Sequence, residues 1–283
     1  MDERVLVRGS RLVLVPAILC AVLAVVPVSR ADEGTRESVF VFSPVGGWIR
    51  NKAEFITPGT ITEKAVSEDG ILYGMFMMYA DRNMSVGSLG HYSKLEKSRE
   101  NSYMFYLNYY FLPDGAFQPM AGMAVDYINF LTELPGADVA PLLSMDLASS
   151  IWAFHPTAGV AWKQGPFRVT PFAGYFNERF NMTIDVPGIK AGPKTLAGFR
   201  SEVRQVTDYV STGARFEADL WHFLKLDSKF YFRFHSGEKA LFTTRNRLDL
   251  FLTRNLGMSI KCDYFQDASE TNVYVLGGPA LAF

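Results

Sequence analysis

The sequence has few cysteines, no excess of charge of either sign, and no long apolar run beyond its N-terminal stretch. Of its two cysteines, Cys20 lies in that stretch, so its removal leaves Cys262 without an intrachain disulfide partner. The 28 basic and 29 acidic residues nearly balance, which gives no electrostatic footprint for nucleic acid. These shortages exclude a disulfide-stabilised scaffold and argue against a nucleic-acid partner.

The N-terminus has the three regions of a secretory signal peptide. Several arginines precede an apolar run from Leu12 to Val28, and the small residues Ser29 and Ala31 follow it. We therefore predict that residues 1–31 are cleaved and that residues 32–283 form one exported domain. An uncleaved anchoring helix is the alternative reading of the same run.

Apolar residues after the signal are spread over short alternating segments. Aromatic residues make up 14% of the chain, yet no run there approaches the length of a spanning helix. The segment KFYFRFHSG separates phenylalanines from charges on the two sides of an extended chain, with Phe230, Phe232 and Phe234 opposite Lys229 and Arg233. This period indicates strands, but it fits a soluble sheet and a membrane barrel equally well.

Strand length and connection length favour the barrel. The alternating segments run for about 9–13 residues, the length that a tilted strand needs to cross a bilayer. Tight turns such as PDG and KQG alternate with long links near 51–69, 131–148 and 180–205, which we expect to be extracellular loops. The predicted fold is an all-β, antiparallel, up-and-down transmembrane barrel of about twelve strands. Ten strands are possible if the segment 37–50 and one weak segment are plug or loop, and a soluble periplasmic β-protein is the main rival.

The chain ends in TNVYVLGGPALAF, an alternating segment that closes on Phe283. It resembles the terminal strand of bacterial outer-membrane β-barrel proteins, although Pro279 and Leu281 depart from the commonest pattern. The resemblance extends to the signal peptide and the strand rhythm. It implies the outer membrane of a Gram-negative envelope, contact with outer-membrane lipids and lipopolysaccharide, and recognition of Phe283 and Leu281 by the barrel assembly machinery. The oligomeric state is left open.

Charges of both signs share the side of the late strands that a barrel would turn inward. Acidic and basic residues on adjacent strands are placed to pair with each other. We predict a narrow or largely occluded lumen, which acts either as a porin-like channel for small polar solutes or as a structural salt-bridge network. A surface adhesion barrel is a further alternative. The predicted pore-lining residues are Arg215, Glu217, Asp219, Lys229, Arg233, Arg247, Asp249, Lys261 and Asp263.

One short motif suggests chemistry. His91 and Ser93 have a His-x-Ser spacing that resembles outer-membrane lipid hydrolases such as phospholipase A and lipid A deacylase, in which the imidazole activates the serine. Lys94 follows instead of the asparagine that those families carry, and strand parity turns His91 inward. We therefore predict no enzymatic activity and keep the lipid hydrolase as an alternative. No motif with the spacing of a metal site or cofactor site is present, so neither is predicted.

Overall fold

The computed structural model describes residues 38–56, 63–134, 145–191, 194–220, 223–266 and 270–283. The predicted signal peptide, residues 1–31, lies outside these ranges. Within them no helix has the length and hydropathy needed to cross a membrane. The described strands are β1 (Ser38–Ile56), β2 (Glu63–Asp81), β3 (Met84–Leu95), β4 (Ser98–Tyr110), β5 (Phe117–Leu134), β6 (Met145–Gln164), β7 (Phe167–Val186), β8 (Ile189–Ala191), β9 (Lys194–Leu196), β10 (Phe199–Leu220), β11 (Leu224–Phe234), β12 (Leu241–Phe251), β13 (Leu256–Gln266) and β14 (Glu270–Ala282).

Twelve of these strands close into one antiparallel barrel. The order around the wall is β1-β14-β13-β12-β11-β10-β7-β6-β5-β4-β3-β2, and β8 and β9 pair only with each other. Phe40 and Phe283 exchange backbone hydrogen bonds of 3.2 and 2.9 Å where β14 returns to β1. The predicted all-β barrel of twelve strands is confirmed, and the ten-strand alternative is excluded because β1 is part of the wall.

The seam between β1 and β14 depends on glycine. Pro44 has no N–H to donate, and the seam's described register passes from the Phe42–Leu281 pair directly to the Gly46–Gly277 pair. The two backbones approach closely here. A Cβ at Gly47 would lie 1.8 Å from the Val275 carbonyl oxygen, and a Cβ at Gly278 would lie 1.8 Å from the Pro44 carbonyl oxygen. These two positions therefore admit no side chain without a backbone shift.

The alternation has the orientation expected for a membrane barrel. On β11 the rings of Phe230, Phe232 and Phe234 are exposed on the outer surface, whereas Tyr231 and Arg233 are 1% and 0% exposed inside. Lipid surrounds such a wall, so apolar side chains on its outer face are favourable. The segment whose period was ambiguous therefore points its rings outward and its charges inward.

Exposed aromatic side chains form two girdles on the outer surface. We call the end that carries Ser38 and Phe283 the near end and the opposite one the far end. Ten residues separate the girdles on β5 and β6, which corresponds to about 33 Å along a strand and about 25 Å along the normal of a tilted barrel. The outward side chains between the girdles on the described strands carry no formal charge. The near girdle includes Phe111, Phe117, Trp162, Phe167 and Phe283; the far girdle includes the exposed rings of Trp48, Tyr73, Trp152 and Tyr175 and the half-buried ring of Tyr127.

Several strands continue into segments that we predicted as external loops. Strand ends beyond the bilayer still gain ladder hydrogen bonds, but water wets both faces, so the apolar alternation that marks a membrane strand is lost there. The centres of two of the predicted loops, residues 57–62 and 135–144, lie outside the described residues. The strand residues within the predicted loops are 51–56, 63–69, 131–134, 145–148, 180–186, 189–191, 194–196 and 199–205.

The seam predicts a large difference between two adjacent glycines. Gly278→Ala drives its Cβ into the Pro44 carbonyl, whereas the Cβ of Gly277→Ala meets nothing closer than 3.7 Å. We expect Gly278→Ala to lower the temperature at which the folded band converts to the unfolded band on a heat-modifiability gel. Gly277→Ala should stay close to wild type, and equal behaviour of the two variants would contradict the close approach.

The thiol of Cys262 reports on orientation. Cys262 is exposed on the outward face of β13, two residues from Tyr264 towards the near end. In lipid vesicles a charged, membrane-impermeant maleimide should leave Cys262 unmodified and should react after denaturation in detergent. Ser236→Cys in a Cys262→Ser background provides the control, since Ser236 is exposed in the link between β11 and β12. Fast labelling of Cys262 in intact vesicles would show that this face meets water.

Candidate functional site

The interior of the barrel has an apolar side and a charged side. Buried residues of β14, β1 and β2, including Ile49, Phe76 and Leu276, belong to one hydrophobic cluster. Most buried ionised side chains lie instead on β10, β11, β12 and β13. We call the second region, together with its partners on β4, β5 and β7, the charged interior. Ionisable groups at membrane depth are costly and mark functional sites by default, which makes this region the candidate site.

Neighbouring strands contribute ion pairs within the wall. The Arg215 guanidinium donates two hydrogen bonds of 2.8 Å to the Asp227 carboxylate, in the bidentate geometry that fits these groups best. Lys225 lies 3.3 Å from Asp219 closer to the near end. Both pairs join β10 to β11, as expected for opposite charges on adjacent strands.

Other pairs cross the lumen. Arg245 on β12 donates to Asp126 on β5 over 2.7 and 3.3 Å. Arg247, also on β12, reaches the Tyr106 hydroxyl on β4, the diametrically opposite strand, over 3.5 Å. Arg215 donates to the Tyr110 hydroxyl on β4 over 3.2 Å. Because side chains from opposite walls meet, the lumen is bridged at this level.

A further buried arginine, Arg233, lies nearer the far end. Arg233 is fully buried, 3.2 Å from Glu178, and donates to the backbone carbonyl of Gln266. The rings of Phe176 and Phe265 lie 4.6 and 4.5 Å from its guanidinium carbon. Weakly hydrated guanidinium is the cation best suited to stacking between rings in this way. These contacts join Arg233 on β11 to β7 and β13, on the far-end side of the cross-lumen pairs.

A small cavity remains within the charged interior. Its volume of about 60 Å³ corresponds to a few water molecules at most, since each takes about 30 Å³ in the liquid. An aqueous channel of the porin type is far wider. The lining side chains are Phe76, Met104, Tyr106, Asn108, Met123, Ala124, Arg215, Asp227, Lys229, Arg245, Asn246, Arg247, Lys261 and Asp263.

The predicted pore-lining residues divide into two groups. Arg215, Lys229, Arg247, Lys261 and Asp263 line the cavity, whereas Glu217, Asp219, Arg233 and Asp249 do not. Asp249 is fully buried and accepts a 2.6 Å hydrogen bond from the Ser259 hydroxyl, while half of the Asp219 side chain is exposed. Glu217 accepts a hydrogen bond from the Tyr110 hydroxyl. A pore-lining role for all nine stays a prediction.

Sequence reasoning missed several members of the site. Asp227 and Arg245 have the inward parity of residues that were chosen, and parity alone would have found them. Asp126 and Glu178 are isolated carboxylates on earlier strands, where the alternation is less regular. A lone carboxylate in a membrane strand needs a partner, and that requirement is the signal that identifies both.

The His-x-Ser motif faces the interior. His91 Nε2 lies 3.2 Å from Glu100 Oε1, which also accepts a 3.2 Å hydrogen bond from the Tyr274 hydroxyl. Ser93 is 0% exposed and its hydroxyl has no hydrogen-bond partner within the described part of the chain. A lipid hydrolase must bring an acyl ester to its serine, and this serine offers no surface for one.

The cross-lumen pair of Arg245 with Asp126 can be compared with an exposed ion pair on the outer surface. Asp126→Asn leaves Arg245 inside the barrel without its carboxylate, so it should destabilise the fold. Breaking a fully buried pair costs about 3–5 kcal/mol, and we expect a smaller loss here because both side chains keep some exposure. Urea unfolding in lipid vesicles measures the loss. Asp69→Asn breaks the exposed pair with Arg50 and is the control, expected to change little.

Comparison with known proteins identifies the class of fold. No protein-family model matches the chain, and no curated protein matches it. Among solved structures, the translocator domain of the autotransporter NalP from Neisseria meningitidis has 9% identity and a TM-score of 0.52 over 95% of each chain. The β domain of the Bordetella autotransporter BrkA has 13% identity and a TM-score of 0.46 over 86% of this chain and 100% of that one.

A Pseudomonas aeruginosa FadL homologue has 9% identity and a TM-score of 0.43 over 87% of this chain and 90% of that one. Of these three structures, only the NalP translocator domain has a TM-score above 0.5, so the structural similarity rests on that protein. At 9% identity the similarity concerns the fold alone. That structure, the closed twelve-stranded wall and the two aromatic girdles all indicate the same class of fold. The chain has the fold of a bacterial outer-membrane β-barrel.

Proposed function

We propose that the protein is a narrow, largely occluded channel of the outer membrane that passes ions and small polar solutes. The observation that carries the proposal is the charged interior, in which side chains from opposite walls bridge the lumen and line a small cavity. The outward aromatic girdles and the uncharged band between them support the outer-membrane location.

The charged side chains inside the barrel favour a path for solutes over a purely structural role. Well-packed hydrophobic residues fill a protein interior at least as stably as ion pairs do, because burying two charges costs desolvation. The β14, β1 and β2 side of the barrel already uses apolar filling. Charges on the opposite side keep polar groups available at membrane depth, as along ion and substrate pathways.

The competing functions have weaker support. A lipid hydrolase that uses His91 and Ser93 is disfavoured because the serine is buried inside the barrel. A surface adhesion barrel would depend on the far-end links, and residues 57–62 and 135–144 of these lie outside the described residues. A barrel whose charge network is only structural is the remaining rival, and conductance separates it from a channel.

Removing one cross-lumen pair should widen the path. Arg245→Ser combined with Asp126→Ser shortens both partners and removes both charges of the pair together. In planar bilayers we expect small single-channel currents from the wild type and larger ones from this double variant, because the bridge across the lumen is gone.

The matched control removes the same chemistry from the outer surface. Arg50 and Asp69 form a similar two-contact pair of 2.8 and 3.1 Å on exposed strand ends. Arg50→Ser with Asp69→Ser should therefore keep the wild-type current. Silence of both the wild type and the Arg245/Asp126 variant at all voltages would favour the structural barrel, and an equal gain in both double variants would point to a non-specific loosening of the wall.

A further inference from the structure

The cavity contains two ammonium groups that have no hydrogen bond or ion pair with any described residue. Lys229 on β11 and Lys261 on β13 both line it, and Lys261 is 5% exposed. The arginines beside them are paired, Arg215 with Asp227, Arg245 with Asp126 and Arg247 with Asp249. The unpaired cations of this cavity are therefore its lysines.

Aromatic rings give these lysines only partial compensation. The Lys261 ammonium lies 4.9 Å from the ring centre of Phe76, and the Arg247 guanidinium lies 5.0 Å from the same centre. The Lys229 ammonium lies 4.8 Å from the ring of Phe172. A ring face attracts a cation but accepts no strong hydrogen bond, and the Phe76 ring has two cations against it. Each ammonium still has three N–H groups to satisfy.

Both carboxylates around the cavity already accept hydrogen bonds. Five cationic side chains and two carboxylates line it. One carboxylate, Asp227, is held by both arms of Arg215, and the other, Asp263, accepts a 3.3 Å hydrogen bond from the Asn246 backbone N–H. Cationic side chains therefore outnumber carboxylates in a space at membrane depth, where an unpaired charge is costly.

We infer that this cavity is a binding site for a small inorganic anion, held between Lys229 and Lys261. An anion supplies the missing acceptors and neutralises the local positive charge in one step. The volume of about 60 Å³ limits the occupant to the size of a halide or a small oxyanion. The inference deepens the proposed function. If the barrel is the channel proposed above, the solutes that pass this cavity are anions.

The test compares anions in thermal unfolding of the detergent-folded full chain. The probes are chloride and phosphate, each titrated at constant ionic strength against a bulky organic sulfonate that cannot enter the cavity. Binding to the folded state alone raises the midpoint with the logarithm of anion concentration. We expect that rise in the wild type for at least one probe, and its absence for both probes would overturn the inference whatever the variants do.

Lys261→Met and Lys229→Met locate the site. Each variant replaces an unpaired ammonium by an apolar chain of similar length, so we expect a higher midpoint than wild type in the sulfonate buffer and a smaller rise with the anion. Lys163→Met, at the exposed end of β6, should keep both the wild-type midpoint in sulfonate and the wild-type rise with the anion. If the lysines serve only to pack on the rings, the variants lose stability in sulfonate and keep the full anion response, which contradicts the site. Either lysine variant suffices if the other does not fold.

Bilayer recordings under a potassium chloride gradient separate this inference from the proposed function. A reversal potential of anion-selective sign that moves towards zero in Lys261→Met supports both. An anion response in thermal unfolding without any current leaves the site in place and removes the channel. A current without an anion response in thermal unfolding removes the site and leaves the channel.

Discussion

The structure depends on one constraint, the complete pairing of backbone hydrogen-bonding groups in a medium without water. Inside hydrocarbon an unpaired N–H or C=O group costs several kcal/mol, so strands can cross only if the sheet has no free edge. Every strand of the wall is paired on both sides, including β1 and β14, which come from opposite ends of the described chain. The glycines of that seam follow from the constraint, since Pro44 interrupts the ladder and the backbones must approach closely to continue it.

The charged interior follows from closure in a different way. Once the wall has closed, its inner face is small enough that long side chains on one strand reach the opposite side. Arg247 and Tyr106 meet across the full width of the ring, and Arg245 meets Asp126 across nearly as much. Arginine suits this role because its guanidinium combines length with a planar array of donors. The same side chains therefore join opposite walls and narrow the space between them.

The sequence predicted the strands of the wall better than the side-chain pairs inside the barrel. The alternation on β11 to β14 predicted strands. A membrane environment then predicted that apolar side chains face outward and charged ones inward, as Phe230 and Arg233 do. The ends of β1, β2 and β7 could not be predicted because both faces are wet there and the period disappears. Pairs such as Arg245 with Asp126 depend on the diameter and register of the closed ring. Those quantities are properties of twelve strands together, and no single segment encodes them.

The spacing of the two aromatic girdles has a consequence for where the molecule can reside. A hydrophobic height of about 25 Å matches a thin bilayer, and the bacterial outer membrane is thinner than average. In a thicker, sterol-rich membrane, either the lipids would have to compress around the barrel or Tyr127 and Trp152 would sink below the headgroups. Hydrophobic mismatch thus selects among membranes, and the ten residues between the rings on β5 and β6 set that selection.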